Sequence, residues 1–141
     1  MLDLDPAAGR SEQIARRFAA ALEAGDVDAA LAATSPDVVF HSPVVHRPYE
    51  GRDILGAILR AVVQTFEDFR YTAAYGADDG HVLAFAARVG DRALQGVDIL
   101  HFGADGLIDS LAVMVRPYSA ATALKERMAD LLPQDDVRPH R

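Results

Sequence analysis

The chain has 141 residues, half of them hydrophobic, with a mean hydropathy of +0.05, which suits one domain with a sizeable core. Fourteen Lys and Arg against 21 Asp and Glu give a formal charge of -7 and a pI near 5.0, a balance that argues against nucleic acid and anionic membranes as partners. With no cysteine there is no disulfide, thiol nucleophile or Cys-ligated metal, and no apolar run approaches the length of a membrane span.

Residues 1–10 read as a flexible arm punctuated by Asp5-Pro6 and Gly9. This N-terminus is acidic and lacks a signal peptide's basic start and apolar core, so a cytoplasmic protein is the expectation. A single domain is expected over 11–132, followed by a flexible polar tail over 133–141. Ser11 is the expected cap of a first helix carrying Ile14, Phe18 and Leu22 at helical spacing. Gly25 closes it, Asp26 caps a short second helix, and Ser35-Pro36 stops that one. Val38 to Ser42 is β-branched and aromatic and ends at Pro43, which predicts a short strand. A loop with His46, Arg47 and Tyr49 follows. Between Gly51 and Phe66 the residues Ile54, Leu55, Ile58, Leu59, Val62 and Val63 form a strong helical stripe.

After Glu67-Asp68 the period falls to two, with Phe69, Tyr71, Ala73 and Tyr75 expected on one face. Turns at Ala77–Gly80, at Gly90-Asp91 and at Gly103–Gly106 then separate three more strands, and Pro117 ends the sheet. Ser119 is the expected cap of a last helix reaching about Leu132. Antiparallel strands gathered after helices define an α+β domain, expected as a curved, cone-shaped antiparallel sheet wrapped around the N-terminal helices and enclosing an apolar cavity.

One residue breaks this pattern. Asp98 lies in the strand Leu94–Phe102, where Gly96, Asp98, Leu100 and Phe102 share one face and Val97, Ile99 and His101 the other. Both faces are mostly apolar, and an ionised carboxylate there is costly unless paired or protonated. Asp98 is either a functional acid with a raised pKa at the floor of a cavity, or an acid at a wet edge or paired with Arg88 or Arg92. Five histidines without metal-ligand spacing, and glycines that form no phosphate-binding fingerprint, leave no metal or other cofactor expected.

Three stretches in order resemble the nuclear transport factor 2-like superfamily, in its SnoaL-like and ketosteroid-isomerase-like branch. They are AALEAGDVDAALAA, then PDVVFHSP followed by YEGRDI, then GVDILHF with DGLI after a turn. The resemblance spans roughly residues 11–118. It implies a buried cavity and, in the isomerases, a protonated Asp and a Tyr that hold an oxyanion while a second Asp moves the proton. Carried onto this chain, the oxyanion Asp falls on Asp98, the base on Ser42 and the Tyr on Phe18. A serine hydroxyl cannot act as a carboxylate base, and Phe cannot donate a hydrogen bond. The Arg-x-Asp pair of the superfamily's epoxide hydrolases is also missing, because Gly96 stands two residues before Asp98.

The resemblance further implies that Phe18, Phe40, Ser42, Tyr49, Ile58, Phe85, Leu100, Leu111, Val113 and Val115 line the cavity with Asp98. His41, Met114 and Arg116 fall on the outer sheet face, which in this superfamily commonly packs against a second subunit. His46 lies near the expected cavity mouth as a surface residue. Tyr49 either bonds a ligand or caps the cone, and Tyr71 and Tyr75 are expected in sheet packing. Two functions are open: a cofactor-free lyase, cyclase or isomerase using Asp98 as acid/base or oxyanion donor on a small apolar molecule, and a non-catalytic ligand-binding or dimerisation module.

Overall fold

The computed structural model describes residues 9–132, so the expected tail and most of the expected arm lie outside the described residues. The elements run α1 (Arg10–Glu23), α2 (Val27–Leu31), β1 (Thr34–His41), β2 (Tyr49–Glu50), α3 (Arg52–Thr65), β3 (Glu67–Ala77), β4 (Gly80–Val89), β5 (Arg92–Phe102), β6 (Ile108–Arg116) and α4 (Tyr118–Leu131). Among the described residues no helix is long and apolar enough to cross a membrane.

The six strands form one curved sheet in the order β2-β1-β6-β5-β4-β3. It is mixed rather than antiparallel, because β1 runs parallel to β6. The reason is connectivity. The chain reaches β1 at one side of the sheet and is carried by α3 to the opposite edge, where a four-strand meander begins. Its last strand returns beside β1, and only a long connection of this kind permits parallel pairing. β1 is also longer than expected: Ser35-Pro36 enters the strand, with a register shift between Thr34 and Val39. Thr34 ties this corner together. Its hydroxyl donates to the Leu31 carbonyl at 2.7 Å, and Arg52 of α3 donates to both its hydroxyl and its carbonyl oxygen.

Helix ends follow the expected chemistry only in part. Asp26 caps α2 by accepting from the Ala29 N–H at 3.1 Å. Ser11 lies inside α1, whose cap position is Gly9, and Ser119 lies inside α4 after Pro117. The core forms where α1, α2 and α3 cover the inner sheet face, with Phe18, Val38, Leu55, Leu83, Leu100, Ile108 and Leu111 almost fully buried. The face-sharing predicted for β5 holds: Leu94, Asp98, Leu100 and Phe102 are buried, and His101 is exposed.

β3 departs from simple alternation. Register shifts lie between Glu67 and Arg70 and between Tyr71 and Ala73. A bulge adds one residue and so reverses which face the following residues meet. Tyr71 is buried and Tyr75 is 68% exposed, although a period of two places them together. Tyr75 is therefore not a packing residue of the core.

Close packing fixes Gly96. A Cβ there would lie 2.4 Å from the Phe85 ring and 2.5 Å from the Met114 carbonyl oxygen. The Phe85 ring lies across Gly96, its register partner on β4. There is no room for the arginine that the Arg-x-Asp arrangement requires. Gly96→Ala should cost roughly 1–3 kcal/mol of stability through overpacking, measured as a lower urea midpoint at unchanged slope.

Candidate functional site

The inner face leaves part of its apolar surface unfilled. A cavity of about 1080 Å³ is walled by Leu22 of α1, Ile58, Leu59 and Val62 of α3, and Phe69, Phe85, Leu111 and Val113 of the sheet. Asp98 is its one acidic lining residue among the described residues. Neither of the bland explanations for that acid holds. Asp98 is 5% exposed on an interior strand, Arg88 pairs with Asp68 at 2.8 Å, and Arg92 lies 3.8 Å from Asp91.

The partner of Asp98 is a tyrosine. The Tyr71 hydroxyl donates to Asp98 Oδ2 at 2.5 Å. Tyr71, expected in sheet packing, does pack against Phe69 and Phe85 and in addition bonds Asp98. The bulged edge strand aims it inward, and the Glu23 carboxylate at the end of α1 holds its backbone N–H at 3.0 Å. An aromatic wall closes round the pair. Phe69 meets Tyr71 edge-on at 5.0 Å and Phe85 at 5.3 Å, and Phe66 stacks on Phe69 at 5.7 Å. Phe18 offers no phenol here, and the phenol that meets Asp98 comes from β3. Only the weak alternation around Phe69 and Tyr71 carried any sequence signal for it.

Electrostatics follow from this enclosure. Burial raises the Asp98 carboxyl from the usual 3.8 to about 7, while the hydrogen bond from Tyr71 pulls the other way. Tyr71 is pushed well above its usual 10, first by burial and then by the adjacent Asp98 charge, so the shared proton stays on the phenol. The second oxygen, Oδ1, has no hydrogen-bond partner among the described residues.

Of the expected lining residues, the structure brings Phe40, Ser42, Tyr49, Ile58, Phe85, Leu111 and Val113 to the cavity with Asp98. It does not bring Phe18, Leu100 or Val115. Phe18 and Leu100 are packed in the solid core at 0% and 1% exposure, and Leu22, one helical turn beyond Phe18, lines the cavity instead. Val115 sits opposite Gly96, where the Phe85 ring already fills the space. Ser42 Oγ accepts the N–H groups of Val44 and Val45, which leaves its O–H free to donate. Tyr49 is half-buried 6.4 Å from Phe40, and desolvation raises its pKa. His41 is exposed on the outer face beside Ala112, whereas His46 is exposed at the cavity with Arg47.

Sequence reasoning missed one whole wall. Leu124, Lys125, Met128, Ala129 and Leu132 of the last helix and its end line the cavity, and none of them is among the expected lining residues. Its apolar spacing was visible, but nothing local indicated which surface it would cover. Among the described residues no cluster of His, Asp or Glu is arranged to hold a metal.

Comparison with known proteins fits this architecture. The SnoaL-like domain family matches residues 15–111, and the chain belongs to that family within the nuclear transport factor 2-like superfamily. No curated protein matches. Among solved structures, a protein from Pseudomonas aeruginosa described as a steroid delta-isomerase is 35% identical, with a TM-score of 0.82 over 89% of this chain and 93% of that one. A protein of cystatin-like fold from Silicibacter pomeroyi is 32% identical, with a TM-score of 0.80 over 83% of each chain. An epoxide hydrolase/cyclase-like enzyme of pyran ring formation shares the fold at 19% identity and a TM-score of 0.65, over 79% of this chain and 93% of that one.

The Asp98 shift carries a stability consequence. In the unfolded chain the carboxyl titrates near 3.9 and in the folded one near 7, so between these values the folded state binds more protons. Stability should therefore fall as pH rises from about 4 to about 7 and level off above. Asp98→Asn should flatten that slope in urea unfolding. Tyr71→Phe, which removes a bond to the ionised form, should move the carboxyl's NMR titration to higher pH.

Proposed function

We propose that the chain is a cofactor-free acid–base catalyst, an isomerase or cyclase, acting on a small apolar carbonyl compound with Asp98 as the proton-transfer group. One observation carries this: a buried carboxyl lines an apolar cavity, with one oxygen held by Tyr71 at 2.5 Å and the other unpaired among the described residues. A carboxyl titrating near neutrality can both take and return a proton at physiological pH. In its ionised form Oδ1 removes a proton next to the ligand's carbonyl. The protonated carboxyl then returns it to another carbon, or to the alkoxide that a ring closure creates. Tyr71 keeps the carboxyl in one orientation throughout, and the hydroxyls of Ser42 and Tyr49 orient the carbonyl. The 35% identity to a protein described as a steroid delta-isomerase supports this class of reaction. A non-catalytic binding or dimerisation module is the second reading. It is favoured by the missing second carboxylate, since Ser42 stands where the related isomerases have their base.

The two readings separate by exchange of α-protons of apolar ketones, including a Δ5-3-oxosteroid, in deuterated buffer followed by NMR. Catalysis should rise with pH through about 7, as a base with that pKa requires, and Asp98→Asn should lower it on the order of 100-fold or more. Ketones bound without exchange, or rates indifferent to Asp98→Asn, would leave only the binding module.

We further propose that the outer sheet face pairs with a second copy. The registers set Val97 beside Met114, Ile99 beside Ala112, and Val82 and Ala84 alongside them. Met114 in this patch is 59% exposed. A contiguous apolar face of this kind on a sheet favours burial by a partner. Met114→Glu should convert a dimer to a monomer in sedimentation velocity, with the far-UV circular dichroism spectrum retained.

A further inference from the structure

The cavity separates its charges by depth. Among the described residues, Asp98 is buried, and the other charged lining residues, Arg47 and Lys125, are both exposed to solvent. Both are cationic, on a chain with a formal charge of -7. Neither has a hydrogen bond or ion pair among the described residues, whereas Arg16, Arg52, Arg60, Arg88 and Arg116 each hold an acceptor.

The two cations come from elements that also build the apolar wall. Arg47 belongs to the segment between β1 and β2, whose turn is tied by the Ser42 hydroxyl. Lys125 lies on the stretch of α4 where Leu124, Met128 and Ala129 also face the cavity. Its aliphatic stem can lie along apolar surface while its ammonium stays in water.

Resting on the proposed acid–base function, we infer that the ligand is an apolar carbonyl compound bearing an anionic group, a carboxylate in the simplest case, whose charge is held at the solvent end by Arg47 and Lys125. The charge pattern also fixes direction. A carboxylate end is attracted to the two cations and repelled by ionised Asp98, so the ligand enters carbonyl first. Its apolar body then lies among Phe40, Phe69, Phe85 and Val113.

Two fluorescent probes with nearly the same aromatic body test this: anilinonaphthalene sulfonate, which is anionic, and phenylnaphthylamine, which is neutral. The protein should bind the sulfonate more tightly. The double variant R47Q/K125Q should weaken the sulfonate roughly five- to tenfold, as expected for two exposed charge pairs, and leave the amine unchanged. Added salt should act in the same direction. Dodecanoate should displace the bound sulfonate at lower concentration than dodecanol. Both side chains are exposed, so the double variant should fold normally. Sulfonate binding indifferent to the double variant, or an equal loss for both probes, would overturn the anion inference while leaving the cavity as a site for neutral apolar ligands. Failure of both probes to bind would overturn the ligand-cavity reading itself.

Discussion

A single hydrogen bond, from the Tyr71 hydroxyl to Asp98, sets the terms for the rest of the structure. A carboxyl surrounded by Phe69, Phe85, Leu83 and Val113 has lost most of its water, and one neutral donor cannot replace that hydration. The group therefore rests near the midpoint between its two protonation states instead of being fully ionised. A second donor, or an arginine such as the one Gly96 excludes, would restore an ordinary acidity and remove that balance. The packing around the pair keeps the environment sparse. The Phe85 ring occupies the approach over Gly96, and the core residue Leu83 is the register partner of Asp98 itself.

The elements hold this pair with unequal stiffness. Asp98 lies in the interior of the sheet, between two neighbouring strands that fix it on both sides. Tyr71 lies on an edge strand and gains its second tether from the Glu23 side chain of α1. The mouth is built differently, from the turn after β1 and from α4, neither of which takes part in the ladder around Asp98. The buried polar pair is thus in the sheet, and the exposed cations of the cavity are outside it. This arrangement is common where one scaffold serves many substrates.

How far this was legible from residues depended on the range of the signal. Asp98 was evident because a charge inside an apolar strand is a local anomaly, and the face it shares with Leu100 and Phe102 follows from alternation alone. The turn at Gly90-Asp91 and the cap at Asp26 are equally local. Tyr71 was not legible as a site residue, since its contact with Asp98 spans two strands and depends on a bulge without a sequence marker. Phe18, Leu100 and Val115 have the right facing but the wrong depth, and depth is decided by which side chains happen to fill the cone. The parallel pairing of β1 with β6 and the closure of the cavity by α4 are matters of long-range topology that no window of the chain encodes.

The bulge between Tyr71 and Ala73 has a wider meaning. In an unbroken strand, every second residue belongs to the same side from end to end. Here the extra residue separates two segments of opposite sense, one carrying Phe69 and Tyr71 and the other carrying Tyr75. The first turns its aromatic rings toward the hidden acid, and the second turns Tyr75 toward the outside. The boundary of the cavity along this edge is thus written into the backbone, as a single misplaced step, and not into the size of any side chain. Moving that step by one residue would relocate the end of the pocket and exchange the inner and outer faces there, without altering the composition of the strand.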